Sequence, residues 1–346
     1  MKNFQKKSLA IVSVIAMNTY LSAGAVPVQL EISAGSANFG CELSGPIQKL
    51  GGGSLGFTAS TNNIQSLDLR AGSVMVGGTA NLGASTAVSI SGSGAQLQGA
   101  GPLAVSSLAL SAPGKVTNSA ATTLASVSLG GNALTTNSTG GTTITSLIPD
   151  ATGSILNADA IRLVGTAAVA QPVNIGGTGT VTIAGPLSST GGSVLKKVIL
   201  DVAGQLPTGN NAISDSLSLA QSGAAAAIRS ATNFSAAAQL NIPATVTPGS
   251  IAGAVMLTCG AVVKPAGSVD ASILGAGGSF NLCPGAKILV VDGADWSAPL
   301  TFAPASAAPI VAPAATSVSA APSVAPAATP VSAAPRVAPA DRSGGR

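Results

Sequence analysis

The chain has 346 residues, contains no histidine, and is only 8% charged and 2% aromatic. The lack of histidine excludes a Ser-His-Asp triad and removes the commonest ligand of a zinc site. Three of the 15 basic residues lie in the first seven positions, so the remaining 12 nearly balance the 11 acidic residues. No basic patch interleaves with aromatic residues, which leaves nucleic-acid binding without support.

The first 25 residues have the composition of a secretory signal peptide. The early lysines are followed by a mostly apolar run, Leu9–Leu21, and by Ala23-Gly24-Ala25, which fits an A-x-A cleavage site. The apolar run is shorter than the roughly 18–20 residues that a membrane span requires. We therefore predict a signal peptide over 1–25, cleavage between Ala25 and Val26, and an exported mature chain without a transmembrane span.

Residues 26–65 are expected to begin the fold. Val28 to Ile32 alternate between apolar and polar residues, as in a strand with one buried face, and three glycines, Gly51–Gly53, interrupt the chain. The first coil of a stacked fold leaves an unpaired strand edge that needs protection. We therefore predict that 26–65 form an N-terminal cap.

A short strand-like motif then returns through 66–257. Typical copies are SLDL (66–69), SLAL (107–110) and SVSL (126–129), and most copies are followed within a few residues by Gly, Pro or Asn. One aliphatic residue from each copy gives a repeat of about 19 residues, a spacing typical of solenoid proteins. These aliphatic residues are Leu69, Ile90, Leu110, Leu129, Ile144, Leu163, Ile183, Leu200, Leu219, Ile242 and Leu257.

Each copy of the motif is too short to form a core alone but can do so by stacking. In Leu67-Asp68-Leu69-Arg70 both leucines face one side and both charged residues face the other. Stacked in parallel at about 4.8 Å, the aliphatic residues of successive coils would form one continuous apolar ladder. We predict an all-β chain with a right-handed parallel β-helix (β-solenoid) over 66–257. An antiparallel sandwich, whose strands recur about every 8–12 residues, is the alternative.

Residues 258–302 concentrate larger side chains, including the single tryptophan, Trp296, and are predicted to form a C-terminal cap region. Cys259 and Cys283 are 24 residues apart, which is close to one coil. They would therefore lie on adjacent coils and are a candidate disulfide in an oxidising compartment. Cys41 would then be left free or pair between chains.

The composition changes abruptly near the C-terminus. SAAPIVAPAATSV (306–318), SAAPSVAPAATPV (319–331) and SAAPRVAPAD (332–341) repeat with a period of 13. Proline every few residues blocks helix formation and strand pairing and favours the extended polyproline conformation. We predict a disordered Pro/Ala-rich tail over 303–346 that acts as a spacer.

Motifs that carry chemistry are scarce. Gly52-Gly53-Ser54-Leu55-Gly56 matches the G-x-S-x-G nucleophile motif, but no histidine can serve as its base. The loop Gly176–Gly179 lacks the helix of a phosphate site, because the strand-like run Val181-Thr182-Ile183 follows it. Carboxylates could serve a β-helix lyase or glycosidase, but they are spread over many coils: Asp68, Asp150, Asp159, Asp201 and Asp215. The sequence thus predicts no catalytic residue, no cofactor and no metal site.

The segment Leu67–Gly78, LDLRAGSVMVGG, follows an LTLxxGSVxVxG pattern. Together with the signal peptide, the Gly/Ser/Thr-rich coils and the scarcity of aromatic residues, it resembles autotransporter passenger domains, especially rickettsial surface antigens of the outer-membrane protein A/B kind. The resemblance covers about 66–300. It implies a parallel β-solenoid that is displayed on a Gram-negative cell surface, often for adhesion.

The sequence departs from the autotransporter pattern at its C-terminus. Autotransporters end in a β-barrel translocator, whereas this sequence ends in the Ala/Pro tail and Arg346. The resemblance therefore implies an exported, surface-displayed structural or adhesive protein for which no catalysis is expected. The departure leaves three interpretations open: a passenger-only paralogue, a truncated gene product, or a protein exported by a separate outer-membrane translocator. The alternatives are a β-helix polysaccharide-active enzyme and a periplasmic or cell-wall structural protein with a spacer tail. The expected partner is an unidentified host or cell-surface ligand.

Overall fold

A computed structural model describes residues 27–302, apart from 41, 61 and 84. These residues form 27 β-strands and one short 3₁₀ helix, η1 (Ala271–Ile273). Every strand pairing among them is parallel, and the strands stack into a β-solenoid of about 14 turns. The predicted parallel β-helix is confirmed, and the antiparallel alternative is excluded. The predicted signal peptide, Cys41 and the predicted tail lie outside the described residues.

The strands are short and follow one another closely along the chain. The first half comprises β1 (Val28–Glu31), β2 (Ser36–Phe39), β3 (Ser44–Leu50), β4 (Ser54–Phe57), β5 (Asn63–Leu69), β6 (Ser73–Val76), β7 (Ala87–Ile90), β8 (Gln96–Gly99), β9 (Leu103–Val105), β10 (Ser107–Leu110), β11 (Gly114–Asn118), β12 (Thr122–Ser128), β13 (Ala133–Ser138) and β14 (Thr142–Ile148). The second half comprises β15 (Ser154–Asn157), β16 (Ile161–Leu163), β17 (Val173–Gly177), β18 (Val181–Ile183), β19 (Ser193–Leu200), β20 (Asn211–Leu219), β21 (Thr232–Phe234), β22 (Gln239–Ile242), β23 (Ala254–Leu257), β24 (Val262–Pro265), β25 (Ser279–Leu282), β26 (Lys287–Ile288) and β27 (Leu300–Phe302).

Each coil contributes segments to three separate stacks of parallel strands, which we name the first, second and third ladders. In one coil, β10 pairs with β7 on the first ladder and β11 pairs with β8 on the second. The beginning of β12 pairs with β9 on the third ladder, and its end returns to pair with β10 on the first. Beyond β14 the first ladder continues through isolated bridges, such as Leu147 to Thr166 and Ile228 to Ile251.

The core is built by the alternation that the sequence shows. In β10, Leu108 and Leu110 are buried while Ala109 is exposed. Leu108 is in register with Val88 of the preceding coil and Val127 of the following coil, so apolar residues stack along the interior. Burying a side chain of this kind contributes about 1.5–3 kcal/mol, which explains how many short strands together form a stable core.

The eleven aliphatic residues of the repeat do not form one ladder. Leu69, Ile90 and Leu110 are in register on the first ladder. Ile144 instead pairs with Leu124 and begins a run on the third ladder that continues through Leu163, Ile183, Leu200, Leu219 and Ile242. Leu257 lies on the second ladder, between Phe234 and Leu282. The two unusually short gaps, from Leu129 to Ile144 and from Ile242 to Leu257, are the steps from one ladder to the next.

The parallel coils extend beyond 66–257 at both ends. Toward the N-terminus, β1 pairs with β3 and β2 pairs with β4. Toward the C-terminus, β27 pairs with β25 and β26 pairs with β24. The stretches predicted as caps therefore contribute strands to the same stack.

Glycine allows the chain to turn between ladders where coils approach closely. Gly72 adopts φ +69°, and a Cβ there would lie 2.2 Å from the carbonyl oxygen of Gly53 in the preceding coil. Gly130 adopts φ +53° and meets the carbonyl of Leu110 in the same way, at 2.3 Å. Both requirements, a left-handed backbone and no side chain, favour glycine strongly.

Candidate functional site

The outer face of the second ladder carries a row of side chains that project from successive coils. Met75, Gln98, Thr117 and Asn137 are in register across four coils, and each points away from the core. Adjacent members of the row are about 4.8 Å apart, the spacing between paired strands.

A groove runs beside this row, where the second ladder ends and the chain turns toward the third. It consists of two shallow cavities of about 410 and 470 Å³ that share Asn137 and Thr139. The groove crosses five coils, from Met75 to Ala158, which corresponds to about 19 Å along the stack. Its polar lining includes Gln98, Thr117, Ser119, Asn137 and Thr139, and its apolar lining includes Met75, Ala100, Ala158 and Ala160.

The inner side of the same corner is a closed hydrogen-bond network. Asn118 donates from Nδ2 to the carbonyl of Ala121 at 2.9 Å and to Oγ1 of Thr122 at 3.1 Å. The hydroxyls of Thr122 and Ser138 are 2.9 Å apart. Among the described residues, no buried side-chain nitrogen or oxygen lacks a partner. The network replaces apolar packing at this corner without leaving a polar atom unsatisfied.

Asp159 lines the groove, but its carboxylate is held by this network. Its Oδ2 accepts hydrogen bonds from the backbone N–H of Ser138 at 3.0 Å and from Oγ1 of Thr142 at 2.7 Å. Its Oδ1 accepts from Oγ1 of Thr136 at 2.9 Å. The carboxylate therefore closes a turn of the backbone.

The side chains on the outer side of the groove are hydrogen-bonded much less. Within the described chain, Thr117, Ser119, Asn137 and Thr139 have no side-chain hydrogen bond, and Gln98 donates only to Oε1 of Gln96, at 3.1 Å. Ser119, Asn137 and Thr139 are also exposed to solvent. The groove therefore presents free hydroxyl and amide groups on its two central coils, those of β11 and β13.

A different polar row lies on the outer face of the first ladder in the N-terminal coils. Gln29 donates to Gln48 at 3.0 Å, and Gln48 donates to Asp68 at 3.1 Å, one coil to the next. Asp68 also accepts from Ser91 at 2.5 Å and pairs with Arg70 at 2.9 Å. We call Gln29, Gln48 and Asp68 the first-ladder row. Burial acts to raise the pKa of Asp68, but the hydrogen bonds from Ser91, Arg70 and Gln48 outweigh it and hold the pKa below its ordinary value.

The other predicted carboxylates occupy different strands and turns, and within the described residues no two of them share a hydrogen-bond partner. Asp201 pairs with Arg162 at 2.9 Å, and the backbone N–H of Val202 together with Arg162 lowers its pKa. Asp150 accepts hydrogen bonds from Thr152 in a turn before β15, whereas Asp159 follows β15 at the next corner. Asp215 is exposed on β20.

Lys49 is a buried charge that the sequence interpretation missed. It occupies an inward position between Leu30 and Leu69 and is 0% exposed. Its Nζ donates to the carbonyls of Leu50 at 2.7 Å, Gly51 at 2.6 Å and Ala71 at 3.2 Å. Burial lowers the pKa of Lys49. The alternation in Ile47-Gln48-Lys49 already placed this lysine inward and could have revealed it.

Arg229 is a second cation that binds backbone rather than an acid. Its Nε donates to the carbonyl of Leu206 at 2.8 Å, and its Nη2 donates to the carbonyl of Leu187. Those two carbonyls belong to the two preceding coils, so the guanidinium ties three coils together.

The two predicted disulfide partners lie on adjacent coils, as their spacing indicated. The N–H of Cys283 donates to the carbonyl of Leu257 at 2.9 Å, and Cys259 follows two residues after Leu257. Both thiols are free in this structure, with Cys259 exposed and Cys283 partly buried. Their pairing stays a prediction. The predicted cleavage site at Ala25 and Val26 lies outside the described residues.

In the part of the chain that the structure describes, no group of three or more His, Cys, Asp or Glu residues could hold a metal ion. None of the helical segments there has the length and apolar character to cross a membrane.

Comparison with protein-family models, with curated proteins and with solved structures finds no match for this chain.

Proposed function

We propose that this chain is an exported structural or adhesive protein, displayed on a Gram-negative cell surface, that acts by contact rather than by catalysis. The signal-peptide composition of 1–25 and the resemblance to autotransporter passenger domains support export and display. About 14 turns at roughly 4.8 Å give the described coils a length of about 65 Å, which suits an arm that holds its faces away from a cell.

The observation that carries this proposal is the contrast between the carboxylates and the free polar groups. Asp68, Asp159 and Asp201 lie on separate coils and are engaged by neighbouring side chains or backbone. A glycosidase needs two carboxylates within about 5–10 Å of each other across one bond. The groups left free along the groove are hydroxyls and amides, which bind but do not supply acid–base catalysis near neutral pH.

Surface display is tested by treating intact producing cells with a protease and following the chain by immunoblot. A surface protein should be digested on intact cells, while a periplasmic marker protein should survive. Digestion only after the outer membrane is permeabilised would support the periplasmic alternative instead. N-terminal sequencing of the exported chain should begin at Val26, and a chain that begins at Met1 would refute the processing.

Adhesion is tested by comparing attachment of cells that produce the chain, cells that lack it and cells in which it is restored. Loss and recovery of attachment would support the adhesive function. Equal attachment by all three would refute adhesion and favour a structural role.

A further inference from the structure

We propose that the groove binds a neutral, extended polysaccharide chain lying parallel to the solenoid axis. This inference rests on the proposed adhesive function and names the class of ligand to which the surface would adhere. The observation behind it is a groove that crosses five coils and presents free hydroxyl and amide groups on its two central coils, at Thr117, Ser119, Asn137 and Thr139.

The hydrogen-bonding groups of the groove match those of a sugar. Thr117, Ser119 and Thr139 each offer a hydroxyl that can donate and accept, and Asn137 offers an amide with two donors and an acceptor. Sugar hydroxyls likewise donate and accept, so each can be satisfied without a charge. The groups are already oriented by strand and turn, which reduces the entropy lost on binding.

The charge of the groove argues against a polyanion. No lysine or arginine is among the side chains that line it. Asp159 is its one acidic residue, and its carboxylate is committed to Thr136, Ser138 and Thr142. Phosphate and sulfate ligands gain most of their affinity from cations, which this groove lacks.

The shape and apolar content of the groove suit a thin chain better than a folded protein. Protein interfaces depend on aromatic and arginine anchors in deep pockets, and the lining includes neither. Met75, which is 47% exposed, and the alanines at 100, 158 and 160 can pack against the C–H faces of sugar rings. The coil spacing of about 4.8 Å is close to the length of one sugar in an extended chain, so successive sugars would lie over successive coils.

Binding by one groove should be weak, because no aromatic side chain stacks on the sugar. Many copies on one surface would raise the apparent affinity through multivalency. The probe should therefore be polymeric as well as neutral.

The test is affinity electrophoresis of the exported chain in gels that contain a linear neutral polysaccharide: β-1,4-glucan, β-1,4-mannan or amylose. At least one of these should retard the chain, and heparin, a polyanion, should not. Asn137→Ala removes one amide from the groove. It should raise the apparent dissociation constant for the retarding polymer about fivefold. Gln98→Ala should add to that increase.

The matched control is Asn233→Ala. Asn233 also faces outward on the second ladder, without a side-chain partner in the described chain, but lies four coils beyond the last coil of the groove. The Asn233→Ala variant should be retarded as strongly as the wild-type chain. Equal loss in Asn137→Ala and Asn233→Ala, retardation by heparin alone, or no retardation by any neutral polymer would each overturn the inference. If the groove binds no glycan but the cells still attach, this inference fails and adhesion depends on another surface. If the groove binds glycan but the chain is never exposed on the cell, the proposed surface display fails instead.

Discussion

The first-ladder row and the groove both consist of polar side chains on the outside of the solenoid, but they use those side chains in opposite ways. In the row, Gln29, Gln48 and Asp68 bond to one another from coil to coil. In the groove, Thr117 and Asn137 occupy equivalent outward positions, and neither has a side-chain partner in the described chain. Polar atoms that satisfy one another stabilise the stack, whereas atoms left free remain available to water or to a ligand.

Side-chain length does not explain this difference. Neighbouring coils are about 4.8 Å apart, and short side chains also bridge that distance elsewhere in the stack. Asn241 donates to Ser218 at 3.0 Å, and those two residues are in register on adjacent coils. Thr117 and Asn137 are in register in the same way but do not bond to each other, so the orientation of their side chains leaves both groups free.

The largest change in the free energy of unfolding should come from a charge placed in the apolar core, which lies beneath both the first-ladder row and the groove. Leu129 is buried, and Leu129→Asp would bury a carboxylate among aliphatic side chains. We expect a loss of about 4 kcal/mol in the free energy of unfolding, measured in urea. Ser128→Asp, one residue away on the outward face, should change it by less than about 0.5 kcal/mol. Similar losses in both variants would contradict the alternation.

The next largest effect concerns Lys49, beneath the first-ladder row. Lys49→Ala leaves a cavity and removes the donor from three carbonyls, so we expect a loss of about 3 kcal/mol. Lys49→Met should recover the packing part of that loss but not the hydrogen bonds. Both can be measured by urea unfolding at pH 7.

The pH dependence of the same variants separates charge from packing. Burial lowers the pKa of Lys49 below its ordinary value of 10.5. Between the lowered value and 10.5 the unfolded chain binds more protons than the folded chain, so wild-type stability should gain a rising contribution with pH. Lys49→Met should lack that contribution. An identical pH slope in the two proteins would show that Lys49 does not titrate differently in the folded state.

The general architecture could be predicted from the sequence because one physical rule governs it. Alternation in Leu67-Asp68-Leu69-Arg70 determines which side is buried, and a repeat of about 19 residues requires stacking. The division into three ladders could not be predicted in this way. The motifs around Leu129 and Ile144 look alike, although they belong to the first and third ladders respectively.

The groove was beyond prediction for a related reason. Which outward residues lie side by side depends on the exact number of residues in each coil, and that number varies from coil to coil. Thr117 and Asn137 become neighbours only through the register of β11 with β13. Nothing in their local sequence distinguishes them from the many other Ser, Thr and Asn residues of the chain.

Two asparagines on opposite sides of the groove corner provide a direct comparison. Asn118 faces inward and donates to Ala121 and Thr122, whereas Asn137 faces outward. Asn118→Ala should cost about 2 kcal/mol, because it leaves a cavity at a buried position and removes the hydrogen bonds to Ala121 and Thr122 and from the N–H of Ala120. Asn137→Ala should cost less than about 0.5 kcal/mol. Thermal and urea unfolding measure both, and a comparable loss in Asn137→Ala would show that the groove side chains serve the fold.

The smallest effect is expected in the first-ladder row itself, at Asp68. Asp68→Asn weakens the hydrogen bonds from Gln48, Ser91 and Arg70, and because the group is partly exposed we expect a loss of only about 1 kcal/mol at neutral pH. The pKa of Asp68 is held below its ordinary 3.8 in the folded chain, so its contribution is present above about pH 4 and is lost as the pH falls through the lower folded-state value. The difference between wild type and Asp68→Asn should therefore shrink on acidification. Asp215→Asn, at an exposed position, should change the free energy of unfolding by less than about 0.5 kcal/mol. If the difference in the free energy of unfolding between wild type and Asp68→Asn widened in acid, the row would not stabilise the charged form of Asp68. The row and the groove would then no longer differ in how they use their polar groups.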